Sequence, residues 1–185
     1  MLNSKIDLGG DCVLKEIFKE ELMASLANSY NLTQPYNVQG KHFEFYGQFH
    51  QRSSKYFASK KMEYYAFSSY DHIFYKSYSC VNVCDLSDLL TTGKKLILDY
   101  CQMDDEHMET SITLMLHSET LPCLETIKFI KNNMNYSKSF YWGFKGWGKL
   151  KVIILVPSSK EVITNKFAKR DEKQLLQLLH NFNVM

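Results

Sequence analysis

Two nearly unbroken apolar runs, residues 112–116 (ITLML) and 150–156 (LKVIILV), constrain the fold of this chain more than any other feature. A strand exposed on one side alternates apolar and polar residues, whereas a strand covered on both sides reads as a continuous apolar stretch. Residues 112–116 therefore predict a strand with both faces covered, and residues 150–156 predict a second strongly apolar strand. Between them, Thr120 and Pro122 open a helix that carries Leu121, Leu124, Ile127, Ile130 and Met134 on one side. A strand, a helix and a strand in that order leave room for one parallel crossover, between Leu114 and Ile154.

Around this unit the patterns are more ordinary. Asp11, after Gly9 and Gly10, is a good N-cap, and Leu14, Ile17, Phe18, Leu22 and Leu26 recur at helical spacing, predicting a helix over 12–29. Phe43, Phe45 and Phe49 alternate with His42, Glu44, Tyr46, Gln48 and His50, as in a half-buried strand. Residues 51–54 read as a turn. Strands over 62–68 and 72–78, joined around 69–71, complete an antiparallel meander. Asp85 and Ser87 open one or two short helices that Gly93 would break. Further strands are predicted over 140–144 and 161–164, and a closing helix starts at about residue 171, with Leu175, Leu178, Leu179 and Phe182 as its apolar stripe. The expected class is α+β, with helices packed on a largely antiparallel sheet and one parallel crossover. A chain of 185 residues suits one domain, with lobes 1–105 and 106–185 as the natural division if there is one.

Residues 1–10 lack the basic stretch and apolar core of a secretory signal, and no apolar run approaches the ~20 residues that span a bilayer. The five cysteines are odd in number, and none form a C-x-x-C pair. The expectation is a cytoplasmic protein in a reducing compartment, with no membrane contact. Net charge is only +2, but it is segmented. Residues 80–125 hold nine Asp and Glu against two Lys, a net of −7, and residues 126–185 hold eleven Lys and Arg against three Asp and Glu, a net of +8. Such segmentation can make faces of opposite sign.

Three groups of residues invite chemistry. Residues 140–149 (FYWGFKGWGK) combine glycines, which allow close approach of backbone amides to phosphate, with Lys145, Trp147 and Lys149, which offer charge and a stacking surface. Phosphate-binding glycines lie between a strand and a helix, however, and these lie between two strands, where a tight hairpin also explains them. Basic and aromatic residues interleave from Lys55 to Tyr78, and Lys55, Lys60, Lys61, Tyr64 and Tyr75 would suit a single-stranded nucleic acid laid on a sheet. Tyrosines are equally the residues of an ordinary half-exposed sheet. Finally, Asp104, Asp105 and His107, with Glu106 and Glu109, gather oxygen and imidazole ligands in one short segment. Their spacing matches neither a calcium loop nor a zinc motif, and a solvated acidic loop is the plain alternative.

Phe144-Lys145-Gly146-Trp147 and Val162-Ile163-Thr164-Asn165-Lys166, within residues 140–169, resemble the C-terminal part of an uncharacterised family of small Firmicutes-type bacterial proteins. The resemblance covers about a sixth of the chain and implies no activity for any residue.

No catalytic signature emerges and no cofactor is indicated. The reading favours a non-enzymatic module that binds another protein through one of its charged faces, since complementary charge steers and orients association. Nucleic-acid binding through the aromatic and basic strands is the first alternative, and a metal-dependent hydrolase or nuclease built on residues 104–109 the second.

Overall fold

The computed structural model describes residues 8–56, 63–101 and 106–182, with side chains from residue 13 onward except 53–67. In chain order the elements are α1 (Leu8–Leu26), β1 (Asn31–Thr33), β2 (Tyr36–Val38), β3 (Lys41–Phe43), β4 (Phe45–Tyr56), β5 (Glu63–Tyr78) and α2 (Val83–Tyr100). They continue with β6 (His107–Ser118), α3 (Leu124–Asn133), β7 (Ser137–Ser139), β8 (Trp147–Val156), β9 (Glu161–Thr164) and α4 (Glu172–Asn181). The class is α+β. Seven strands form one sheet in the order β1-β4-β5-β6-β8-β7, with β9 also on β8, while β2 and β3 make a separate ribbon. The large sheet takes strands from both of the expected lobes, because β5 pairs with β6.

The apolar runs occupy adjacent parallel strands: Leu114 lies beside Val152 and Leu116 beside Ile154. This is the expected crossover, made through α3. A second parallel pair, β5 with β6, is joined through α2 and was not foreseen. It exists because residues 63–78 form one continuous strand in place of two. Ser69, Tyr70 and Asp71 pair with Gln51, His50 and Phe49 on one side and with Glu109, Thr110 and Ser111 on the other. Two complete ladders override the turn preference of Ser and Asp, and the expected turn at 51–54 is absorbed into β4 in the same way.

Strand alternation sends residues to two separate cores. Phe74, Ile112, Leu114, Leu116, Leu150, Val152 and Ile154 pack with α2 and α3. Ile73, Tyr75, Met115, Ile153 and Leu155 pack with Phe18 and Leu22 of α1 and with Leu179 of α4 and the following Phe182. The sheet is therefore the middle of three layers. Helix α2 starts at a capping box: the Asn82 side chain accepts from the Asp85 amide at 3.0 Å, and the Asp85 carboxylate accepts from the Asn82 amide at 3.2 Å. Its buried stripe includes Leu86, Leu89, Leu96 and Ile97. Gly93 does not break the helix. A Cβ there would stand 2.6 Å from Leu150 Cδ1, and one on Gly148 would stand 2.4 Å from Ile97 Cγ2, so both glycines are contact surfaces that let α2 press onto β8.

Asn165 closes this layer. It is buried, its Oδ1 accepts from the amides of Val152 and Ala168 at 3.2 Å each, and its Nδ2 donates to the carbonyls of Met134 at 2.9 Å and Leu150 at 2.8 Å. One amide side chain thus satisfies four backbone groups where α3 and β9 meet β8. Among the described residues, no helix is long and apolar enough to cross a membrane. Cys80, Cys84 and Cys123 are free thiols.

Candidate functional site

The α1/α4 face of the sheet changes character along its length. Towards the ends of β6 and β8 it is apolar, through Met115, Ile153 and Leu155, but towards their starts the same alternation turns Glu109, Ser111 and Thr113 of β6 and Trp147, Lys149 and Lys151 of β8 to this side. Register sets Trp147 beside Glu109, Lys149 beside Ser111 and Lys151 beside Thr113, and Asp71 of β5 lies beside Ser111. Three rows of polar side chains therefore cross the central strands.

These groups satisfy one another. Lys151 bonds to Asp171 at 3.0 Å and lies 3.8 Å from Asp71. Asp71 also accepts from Tyr30 Oη at 2.9 Å and from Thr113 Oγ1 at 3.2 Å. Burial works against the Lys151 charge, but the two aspartates more than restore it, so its pKa lies above the usual value and the ammonium persists. Burial and the Asp71 carboxylate push the Tyr30 hydroxyl well up, which keeps it a donor. One row away, Glu109 binds Lys149, accepts from Trp147 Nε1 at 2.8 Å and accepts from Ser111 Oγ at 3.1 Å. Burial opposes its charge, but these donors prevail and hold its pKa below the ordinary value.

Two depressions flank the rows. A cleft of about 540 Å³ lies between the C-terminal half of α1 and α4, with Asp71, Lys151 and Asp171 at its polar end. An open groove of about 720 Å³ lies beyond Glu109 and is lined by Lys138, Lys149, Lys166 and Arg170 with Trp147 and Phe167. Four cations against one carboxylate make this groove the basic part of the face.

The β7–β8 connection leaves from and returns to the edge of the groove, at Ser139 and Trp147. Residues 140–144, expected as a strand, are instead a tight turn: the Phe140 amide donates to the Gly146 carbonyl at 3.0 Å, and the Gly143 amide donates to the Phe140 carbonyl at 2.9 Å. Tyr141 at φ 47°, Trp142 at φ 59° and Gly143 at φ 94° follow one another in the left-handed region, a conformation that costs energy for the two side-chain-bearing residues. Phe140 is buried as the anchor, whereas Tyr141, Trp142 and Phe144 are 68%, 94% and 86% exposed. A strained turn that turns three large aromatic rings outward is at odds with packing and in accord with binding.

The turn is braced from below by His107. Its Nδ1 lies 2.7 Å from the Lys145 carbonyl, which can only accept, so Nδ1 carries the proton, and Nε2 accepts from Thr110 Oγ1 at 2.9 Å. Gly146, at φ 75°, permits this approach, because a Cβ there would stand 2.5 Å from His107 Nδ1.

A family model described as Domain of unknown function (DUF8052) matches residues 15–177. The chain belongs to that family. The match takes in all three layers, far more than the segment 140–169. No curated protein and no solved structure matches the chain.

In this DUF8052 member the residues singled out from sequence are dispersed. Lys145 lies in the aromatic turn, and Trp147 and Lys149 line the groove. Tyr75 is fully buried, its ring stacked on Phe45 at 4.6 Å, so it belongs to the α1/α4 core and presents no surface to a base. Lys60 and Lys61 lie outside the described residues, as do the side chains of Lys55 and Tyr64. Asp104 and Asp105 also lie outside them. The described members of that acidic segment do not converge: Glu106 takes a bidentate bond from Arg52 at 2.9 and 3.0 Å, Glu109 faces the groove, and both ring nitrogens of His107 are engaged in bracing the turn. Among the described residues, no group of three or more His, Cys, Asp and Glu side chains is placed to hold a metal ion. Sequence reasoning missed Asp71, Thr113, Lys151 and Asp171. The available signal was the pair of polar interruptions, Thr113 in one apolar run and Lys151 in the other, which fall opposite each other in register.

Proposed function

We propose that this protein is a non-enzymatic binding module that engages another protein through the aromatic turn at residues 141–147 and the basic groove that adjoins it at Trp147. The observation that carries this reading is the near-complete exposure of Trp142 and Phe144 on a turn that is itself rigidly anchored by Phe140 and His107. Large aromatic side chains are the usual anchors of protein interfaces, and a preformed turn lowers the entropy lost on docking. The surrounding Lys138, Lys149, Lys166 and Arg170 favour a partner segment that offers apolar side chains flanked by acidic ones. The test is capture from a lysate of the native host with and without nuclease, comparing the wild type with a Trp142→Ala, Phe144→Ala double variant. A protein retained by the wild type, insensitive to nuclease and lost with the variant is the expected result. Equal retention by both proteins overturns the reading.

The groove supports a second reading, in which the partner is single-stranded nucleic acid. Four cations beside Trp147 and Phe167 combine phosphate neutralisation with aromatic stacking. Binding of a labelled oligonucleotide would weaken steeply with salt, and each groove cation removed would lower the logarithmic salt slope by about 0.7. An absence of binding at low ionic strength removes this alternative.

A further inference from the structure

We propose that the cleft between α1 and α4 is a binding site for a small amphipathic primary amine, held as its ammonium ion. The cleft, at about 540 Å³, falls within the range of small-molecule sites, roughly 300–1,000 Å³. Its two ends differ in chemistry. Leu22, Leu26, Met115, Leu175, Leu178 and Phe182 form an apolar chamber large enough for a short alkyl chain or a single ring. At the other end stand Asp71, Asp171 and Lys151, and Glu21 of α1 adds a further carboxylate to the lining.

The charge balance selects the ligand. Two carboxylates and one ammonium stand at the polar end, an excess of one negative charge in a partly enclosed space, and the exposed Glu21 adds another on the lining. Tyr30 and Thr113 direct their hydroxyl hydrogens at Asp71, so they offer no free donor to an anion. An anionic ligand would meet two aspartates beside the one lysine, and a neutral apolar one would leave the polar end without a new partner. An ammonium group on an apolar body answers both ends, giving a charge-assisted hydrogen bond to a carboxylate and burial of the chain. Lys151 serves here as a fixed charge that holds Asp71 and Asp171 apart and oriented; being protonated, it is no nucleophile.

The inference is independent of the aromatic turn, and its test uses the full chain at pH 7 with hexylamine, hexanoate and hexanol as probes of matched length. Thermal unfolding and amide NMR shifts are recorded as each probe is titrated. Hexylamine is expected to raise the unfolding temperature in a saturable way and to shift Tyr30, Thr113 and Leu175, while hexanoate has no effect and hexanol a smaller one. Asp171→Asn weakens hexylamine about tenfold, the worth of one charge-assisted contact. Ser25→Trp, at an exposed position on the cleft lining, blocks entry. Trp142→Ala leaves the amine response intact, so failure of the partner reading and failure of this one are told apart. Hexanol or hexanoate acting as strongly as hexylamine overturns the proposal, as does the lack of any saturable response at millimolar concentration. If Asp171→Asn fails to fold, the comparison of the three probes on the wild type decides alone.

Discussion

On the α2/α3 side of the sheet, Leu150 meets Gly93 and Ile97 meets Gly148, so close that neither glycine has room for a methyl group. On the α1/α4 side, one residue along the same strand, Lys151 meets Asp71 and Asp171 beside a cleft. The same three strands build both faces, so the difference lies in the side chains they send each way and in the helices set over them. The closed face gains stability from tight apolar packing, while the open one buries charge, which contributes little to stability and much to recognition. The aromatic turn is anchored through Phe140 in the core of the first face, but the groove and the cleft belong to the second. That separation puts the tight apolar packing in one layer and the two depressions, to which the proposals above assign binding, in the other.

The comparison can be broken most sharply at β8. Leu150→Ala, on the closed face, should cost about 3–4 kcal/mol in urea unfolding, because the tight contact with α2 leaves little scope for collapse. Ile153→Ala, which lines the cleft, should cost about 1 kcal/mol less, since part of the cavity is already there. Equal losses would mean that the two faces are packed alike. Lys151→Met tests the charged row itself. It leaves Asp71 and Asp171 without their shared cation, and a loss of about 3 kcal/mol is expected; a gain would show that the row is dispensable and the cleft an ordinary core.

Each face also buries a histidine whose pKa is lowered by that burial. His72, bonded to Tyr46 Oη at 2.7 Å, lies towards α2, and His117 packs on Phe18 of α1. Burial lowers the pKa of each to about 4, helped at His117 by Lys15, from an ordinary 6.5. Above pH 6.5 both are neutral in the folded and unfolded chain. As pH falls from 6.5 towards 4, the unfolded chain takes up protons that the folded one refuses, so stability drops by on the order of 2–3 kcal/mol per histidine. His117→Leu should flatten the decline between pH 6.5 and 4 when urea midpoints are followed across pH, and an unchanged slope would place the acid sensitivity elsewhere. The smallest effect belongs to the Trp142→Ala, Phe144→Ala double variant. Its stability should stay within about 0.5 kcal/mol of wild type, because these rings touch solvent and not the core. A larger loss would make the turn part of the packing and weaken its claim to be an interface.

Much of the frame was legible in the sequence. The runs at 112–116 and 150–156 marked β6 and β8, and the α3 stripe between them marked the crossover. The charged segments also anticipated the basic groove, since Lys138, Lys149, Lys166 and Arg170 all come from the stretch with net +8. The errors share a cause. Ser69, Tyr70 and Asp71 read as a turn, as did residues 51–54, because turn propensity is judged from neighbours in sequence while ladders on both sides hold these residues extended. Gly93 read as a break for the same reason; its role is set by Leu150, far away in sequence. His107 suggested a ligand because it sits among acids, but its partners are a carbonyl 38 residues on and a threonine of its own strand.

The periodicity of apolar side chains, a property of the chain alone, was enough to mark helices α1, α3 and α4 and to mark the strands β6 and β8 as covered on both sides, because that pattern repeats within a few residues. Which polar groups meet was left to the tertiary structure. Tyr30, Asp71, Thr113, Lys151 and Asp171 come from five different parts of the chain; the register of β5, β6 and β8 aligns the middle three, and the packing of α1 and α4 on the same face brings Tyr30 and Asp171 to them.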